Sequence, residues 1–355
     1  MESLPEGYRI VSAEDRPDIT QLVESDLEHP TRTVWPEYIL QNISCCDQAW
    51  QTVEGEAFAK FQFYLLKVGD EGQESVIGSA NSIPFFWPEL VSSSPSQEVL
   101  DTLPDGGLST VITRGARQYL KREGLPPLMP PFTACQQRDS KTSERCEKPN
   151  ALCALAITLV PGMRQQGLAD MMIKRMKQAA IEAGFHILVV PLRPTKKAEY
   201  PLVDIEEYMR WEQTDKTGTV QADPKLPFDP WLRKHIRMGA RLVKAARSST
   251  TYQTTRARWS SWINQDLADQ TKQLDETDWL VEPSTGKKYT EITFQGGLAP
   301  LRVYKDEDIA TYIEPNIWIY HPLSDNVTTL DGAATTSIFK KLAATIVKWF
   351  KSLWR

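Results

Sequence analysis

The sequence predicts an α/β domain with a mixed central sheet and flanking helices, followed by a C-terminal amphipathic helix. Three observations carry this. Ala151–Val160 is an apolar run of strand length, suited to a strand covered on both faces. Gly167–Gly184 then places Leu168, Met171, Met172, Met176, Ala179 and Ala180 at helical spacing, with Lys174, Arg175 and Lys177 opposite and Gly184 as the stop. His186–Pro191 is a second apolar strand. The order strand, turn, helix, strand makes a βαβ unit whose two strands should be parallel.

Upstream, Tyr8–Val11 reads as a strand and Arg16–Leu27 as a helix ending at His29-Pro30. Phe61–Val68 alternates as a half-buried strand does, Glu71-Gly72 turns, and Ser75–Pro84 returns as the second strand of a hairpin. Val99–Leu120 is helical but broken near Pro104–Gly107, and residues 126–150 are polar and Pro-rich, a surface insertion. Downstream, Asp229-Pro230 opens a helix over Trp231–Met238 as N-cap and first-turn residues. Arg241–Ala245, Thr251–Thr254, Thr290–Phe294 and Ile317–Tyr320 read as strands, and Trp259–Leu267 as a short helix. The domain is expected to run over 1–322, with 323–333 as linker and 334–355 as the amphipathic helix.

Composition narrows the function. A net charge of -5 over 355 residues argues against a nucleic-acid partner. The acidic start Met1–Gly7 lacks the apolar core of a secretion signal, and no apolar run approaches bilayer length. Cys45, Cys46, Cys135, Cys146 and Cys153 are odd in number and lack metal-site spacing, while His29, His186, His235 and His321 are scattered. Free thiols, a reducing cytoplasmic compartment and no metal are expected.

Chemistry concentrates at Leu159-Val160-Pro161-Gly162-Met163-Arg164-Gln165-Gln166-Gly167-Leu168-Ala169. A buried strand ends, the chain turns, and a helix begins with unpaired N–H groups at the positive end of its dipole, an anion site. Gly167 and Ala169 are small where a ligand would approach the backbone, and Arg164 adds a fixed positive charge. This segment resembles the acetyl-CoA signature of the GNAT N-acyltransferases: aliphatic-Pro, then Arg, two residues, Gly, one residue, and Gly or Ala. Gln165 and Gln166 depart from the residues common there. The resemblance implies the GNAT fold with splayed central strands. It also implies acetyl-CoA or another acyl-CoA as co-substrate, with the pyrophosphate on the amides of Arg164, Gln165, Gln166, Gly167, Leu168 and Ala169. The thioester carbonyl would lie at Leu159 and Val160.

Asp229–Ala240 resembles the later GNAT helix that ends in Gly and a hydrophobic residue. Four residues before that glycine the family often has a tyrosine that protonates the departing thiolate; here His235 stands there, and it can titrate near neutrality. The other reading of His235 is a helix histidine among Arg233, Lys234 and Arg237, adding positive charge near CoA. Neither central strand supplies an acid, so no general base is assigned. Pro191–Leu202, with Tyr208, Arg210 and Trp211, follows the second central strand, where α/β proteins place ligand contacts. Together with Glu314–Trp318 it resembles a GNAT-like subgroup, and it reads either as acceptor pocket or as a Pro-braced surface connection.

The expected reaction is direct acyl transfer to an amine of a small molecule. Two alternatives stand beside it: malonyl-CoA decarboxylation or transfer to a carrier thiol on the same fold, and a non-catalytic CoA-binding protein. The tail Ala334–Arg355 carries five positive charges and none negative, with Ile338, Phe339, Leu342, Ile346, Trp349, Phe350 and Leu353 on one stripe. It suits a membrane surface, a partner groove, or docking on the chain's own core.

Overall fold

The computed structural model describes residues 4–40, 45–129, 147–164, 166–213 and 226–323, and the side chains of 45–47 fall outside that set. Gln165, most of the insertion, the linker beyond Leu323 and the amphipathic tail therefore lie outside the described residues. The chain divides into a unit Met1–Pro322, which holds the sheet and the site, and a unit Leu323–Arg355.

The sheet has ten strands: β1 Tyr8–Ser12, β2 Gln62–Val68, β3 Glu74–Phe85, β4 Ala151–Leu159, β5 Ile187–Leu192, β6 Arg241–Thr254, β7 Leu280–Val281, β8 Lys288–Ile292, β9 Leu301–Tyr304 and β10 Ala310–Pro322. They run in the order β1-β2-β3-β4-β5-β10-β9-β8-β7, with β6 also paired to β10. Among the described residues only β4 and β5 pair in parallel, as the βαβ reading requires. The strand β10 is the hub: its second half pairs with β5, its first residues with β9, and nearly its whole length with β6.

Four helices matter for the site: α1 Pro17–Ser25, α2 Gly107–Arg122, α3 Leu168–Glu182 and α4 Pro230–Arg237. At the start of α4, Asp229 accepts from the amides of Trp231 and Leu232, with Pro230 in the first turn, as its residue types dictate. Helix α3 buries Leu168, Met172, Ile173, Met176, Ala179 and Ala180, the stripe expected from spacing. Each large apolar side chain buried here contributes about 1.5–3 kcal/mol. Helix α2 approaches β3 closely because Gly115 has no Cβ; one there would lie 2.7 Å from Ile83 Cδ1.

Two expectations change. Arg241–Ala245 and Thr251–Thr254 are one strand of 14 residues, not two. The polar stretch Arg247–Thr250 interrupts the apolar pattern, yet the ladder passes over it through a bulge that shifts the register from Glu314↔Thr250 to Asn316↔Ala246. Ile317–Tyr320 is the apolar half of the longer β10, and β9 is too short to show in the sequence.

Candidate active site

The site begins where β4 and β5 part. They pair only at Leu152↔Leu188 and Cys153↔Val189. Beyond that point β4 stays with β3 as far as Gly78↔Leu159, and β5 stays with β10 as far as Leu192↔Ile317. Two features of the sequence open the gap. The β3–β4 register steps from Ser82↔Ala154 to Asn81↔Ala156, which leaves Leu155 as a bulge. On the facing strand, Pro191 has no N–H to continue a ladder. Leu155, Ala156 and Ile157 are only half-buried, although Ala151–Ala154 just before them are buried. The expected splay is thus present. The Val160 N–H, however, donates to the Ile77 carbonyl at 3.0 Å and is not available to a thioester. Antiparallel alternation then turns the Leu159 and Ile157 amides away from β3, toward the opening. Of the two residues expected at the carbonyl, Leu159 turns its amide toward the opening and Val160 bonds its amide to β3.

After β4 the chain makes a single tight turn over Pro161–Met163 and reaches α3 through Arg164–Gly167. Gly167 is the N-cap of α3 with φ 73°, and no side chain caps the helix. The amides of Asp170 and Met171 bond back to the Gly167 carbonyl, whereas those of Gln166, Gly167, Leu168 and Ala169 have no acceptor among the described residues. Four open donors at the positive end of a 15-residue helix make an anion cradle. Gly167 has a left-handed backbone that disfavours other residues, and a Cβ there would meet no protein atom within 4 Å. Arg164, just before the cradle, is exposed. From β1, the Tyr8 hydroxyl donates to Gln166 Oε1 at 3.1 Å and braces the turn.

Helix α4 lies alongside α3. Lys234 pairs with Asp170 in the first turn of α3, and Lys177 Nζ donates to the Met238 carbonyl at 3.3 Å. His235, expected as a proton donor, sits at the buried side of this helix. Its ring is 2% exposed, edge-on to Trp231, with Nδ1 at 3.0 Å from Nε2 of His321 on β10. His321 stands opposite Leu188, at the closed end of the β4–β5 gap. Burial first, then the neighbouring His321 and the lysines, lowers the His235 pKa to about 3; burial and Lys177 do the same for His321, also to about 3. A ring held neutral by burial and packed against the closed end argues against the expected role as the thiolate's proton donor.

At the open end stands a network that spans distant parts of the sequence. Arg193, the residue after β5, donates from Nε to Glu314 Oε1 at 2.9 Å and from Nη2 to Glu314 Oε2 at 3.1 Å. The same Nη2 meets the Gly296 carbonyl at 2.9 Å and the Tyr38 hydroxyl at 3.2 Å. Tyr312 donates to Glu314 Oε2 at 3.1 Å and Tyr38 lies 3.4 Å from it. Burial, then the Glu314 carboxylate, holds the hydroxyl protons of Tyr38 and Tyr312 far above the usual phenol range. Glu314, a buried acid, thus accepts four hydrogen bonds, one on Oε1 and three on Oε2, and its carboxylate is committed to Arg193 and the two tyrosines. Within the Pro191–Leu202 loop Lys197 is pinned: it is 1% exposed and donates to the Tyr200 and Leu298 carbonyls, both at 2.7 Å. Burial lowers its pKa to about 8.

No family model matches the sequence. The chain is 32% identical over 323 residues to arginine N-acetyltransferase avaD of Aspergillus versicolor, covering 90% of this chain and 96% of the relative. Among solved structures, the loading GNATL domain of CurA from Lyngbya majuscula is 14% identical, with 89% of this chain and 98% of that chain covered at a TM-score of 0.43. Arylalkylamine N-acetyltransferase 2 from Aedes aegypti is 11% identical, with 90% and 100% covered at a TM-score of 0.33. Likenesses at such scores bear on no individual site residue.

Proposed function

The chain belongs to the GNAT family of N-acetyltransferases, and from that premise we propose that it transfers an acetyl group from acetyl-CoA to the α-amino nitrogen of arginine or a close analogue. The observation that carries the CoA part is the N-terminus of α3, where four amides have no acceptor among the described residues, beside the opening between β4 and β5. Those amides and Arg164 would hold the pyrophosphate, and the pantetheine arm would run into the gap. The Leu159 or Ile157 amide would then polarise the thioester carbonyl and stabilise the oxyanion formed on attack.

The acceptor part rests on the relative's substrate and on proton chemistry. Glu314 is committed to a bidentate pair with Arg193 and to two tyrosines. Without a strong base, the nitrogen that reacts is the one more readily neutral, the α-amine rather than the far more basic guanidine. Alignment beside a polarised thioester supplies much of the acceleration. The amine attacks, the tetrahedral intermediate expels CoA thiolate, and the product amide loses its proton to water. Residues 1–322 are proposed as the acyltransferase unit.

The test is release of CoA thiol from acetyl-CoA with arginine, Nα-blocked arginine and a panel of simple amines. Acetylation of arginine and not of the Nα-blocked form is expected. Carbon dioxide release from malonyl-CoA with no amide product would overturn the reading in favour of decarboxylation.

A further inference from the structure

Residues 29–40 form a strap across the open end of the sheet. Its first helical turn, Pro30–Thr33, packs on β3. Trp35 then donates from Nε1 to Thr158 Oγ1 on β4 at 3.1 Å. Three residues later, the Tyr38 hydroxyl meets Glu314 of β10 and accepts from Arg193, which follows β5. The segment is thus anchored on both sides of the gap between β4 and β5, and it crosses the gap between Trp35 and Tyr38.

The strap crosses on the face away from α3. Residues directly opposite in an antiparallel pair share a face, and neighbours along a strand alternate. Phe63, Ala80 and Ile157 stand opposite one another on β2, β3 and β4, and Arg175 of α3 lies 4.4 Å from the centre of the Phe63 ring, so α3 covers that face. Tyr64, Ser79 and Thr158 form the next row, on the other face, where Tyr64 donates to Thr20 of α1. Thr158 stands between Ile157 and Leu159, the two residues whose amides turn into the gap, so the indole is anchored one residue from either. Trp35 is half-buried, and among the described residues no aromatic ring or cation lies against its indole.

We propose that the indole face of Trp35 holds the cationic side chain of the acceptor, and so selects arginine over neutral molecules of the same shape. The proposal rests on arginine or a close analogue being the acceptor. CoA delivered from the start of α3 fills the gap from the α3 side, which leaves the other face to the attacking amine, and there the strap is the wall. The buried acid at this end, Glu314, is committed to Arg193 and offers a second guanidinium no charge of its own. An indole face is the uncharged alternative: its negative centre attracts a cation, and a planar guanidinium also stacks on it.

The test compares kcat/KM for arginine with that for citrulline, which has the same length and a neutral urea in place of the guanidinium. The native protein should prefer arginine by at least about fivefold, the worth of one such contact. Trp35→Leu removes the aromatic face and should bring the ratio close to one. Trp35→Phe keeps a ring without the Nε1 anchor, and should retain a preference of about twofold or more. Because each ratio is taken within one preparation, a partly unfolded variant does not distort it. Equal use of arginine and citrulline by the native protein, or a ratio that Trp35→Leu leaves unchanged, would overturn the assignment. Calorimetric binding of both compounds to the CoA-loaded protein separates the two claims. Preferential binding of arginine that Trp35→Leu removes, with no acetyl transfer, would leave the Trp35 site standing and remove the transferase reading.

Discussion

Lowering the pH from about 7 to about 4.5 should weaken this fold chiefly at the His235–His321 pair. The two rings touch at 3.0 Å, and their outer nitrogens, His235 Nε2 and His321 Nδ1, are buried without partners. Both pKa values are lowered from 6.5 to about 3. A histidine whose folded pKa lies below its unfolded value contributes stability fully above about pH 6.5, and that stability is lost as the pH falls toward 3. Each ring then costs about 1.4 kcal/mol per pH unit, so two units below 6.5 the independent sum is about 5 kcal/mol. The rings share one contact and titrate together, which brings the expected loss to about 3–5 kcal/mol. Against a typical domain stability of about 5–15 kcal/mol, that is enough to bring acid unfolding well above pH 3. Urea unfolding followed by tryptophan fluorescence, at both pH values, measures it in the native chain and in His235→Gln/His321→Gln. Carboxylate titrations are common to both chains and cancel. The native chain should lose about 3–5 kcal/mol more than the variant, and equal losses would refute the assignment of two buried neutral imidazoles.

Other perturbations probe other parts of the molecule. Lys234→Met leaves the Asp170 carboxylate unmatched beside the pyrophosphate cradle and should weaken CoA binding by about fivefold, for a partly exposed pair worth about 1 kcal/mol, measured by titration calorimetry. Adding Asp170→Asn should restore most of that affinity; no restoration would mean that Lys234 acts elsewhere. Gly167→Ala must place a Cβ at φ 73° and should cost about 1–2 kcal/mol of cradle geometry, seen as a CoA Kd raised about tenfold with little change in melting temperature. Glu314→Leu strands the Arg193 charge in a largely buried network and should destabilise the fold by about 3–5 kcal/mol in chemical denaturation.

What the sequence made legible is what is local in it. Leu159–Ala169 is one contiguous strand, turn and helix start, so its type and order could be read directly. Even there the finer detail was hidden. That Val160 spends its amide on Ile77 depends on the β3–β4 register, and that Gly167 is needed for its φ depends on how the turn closes. His235 was found by its spacing from Gly239, but its partner lies 86 residues away on β10, and that contact decides its chemistry. Arg193 and Glu314 are 121 residues apart; each drew notice within its own segment, and nothing in either segment says that they meet. A signal was present in Glu314-Pro315, an acid and a proline at the bulge of the buried β10, where an unpaired charge would be untenable. The strand β6 was split because Arg247–Thr250 looks like a loop until the β10 bulge is known.

Whether the open amides at the start of α3 hold the CoA pyrophosphate decides the functional reading, and residue-resolved hydrogen exchange with and without CoA measures it at those amides themselves. Strong added protection is expected at Gln166, Gly167, Leu168 and Ala169, none of which has an acceptor among the described residues, with little change at Val160, whose amide is already bonded. CoA that binds while those four amides exchange as before would contradict it.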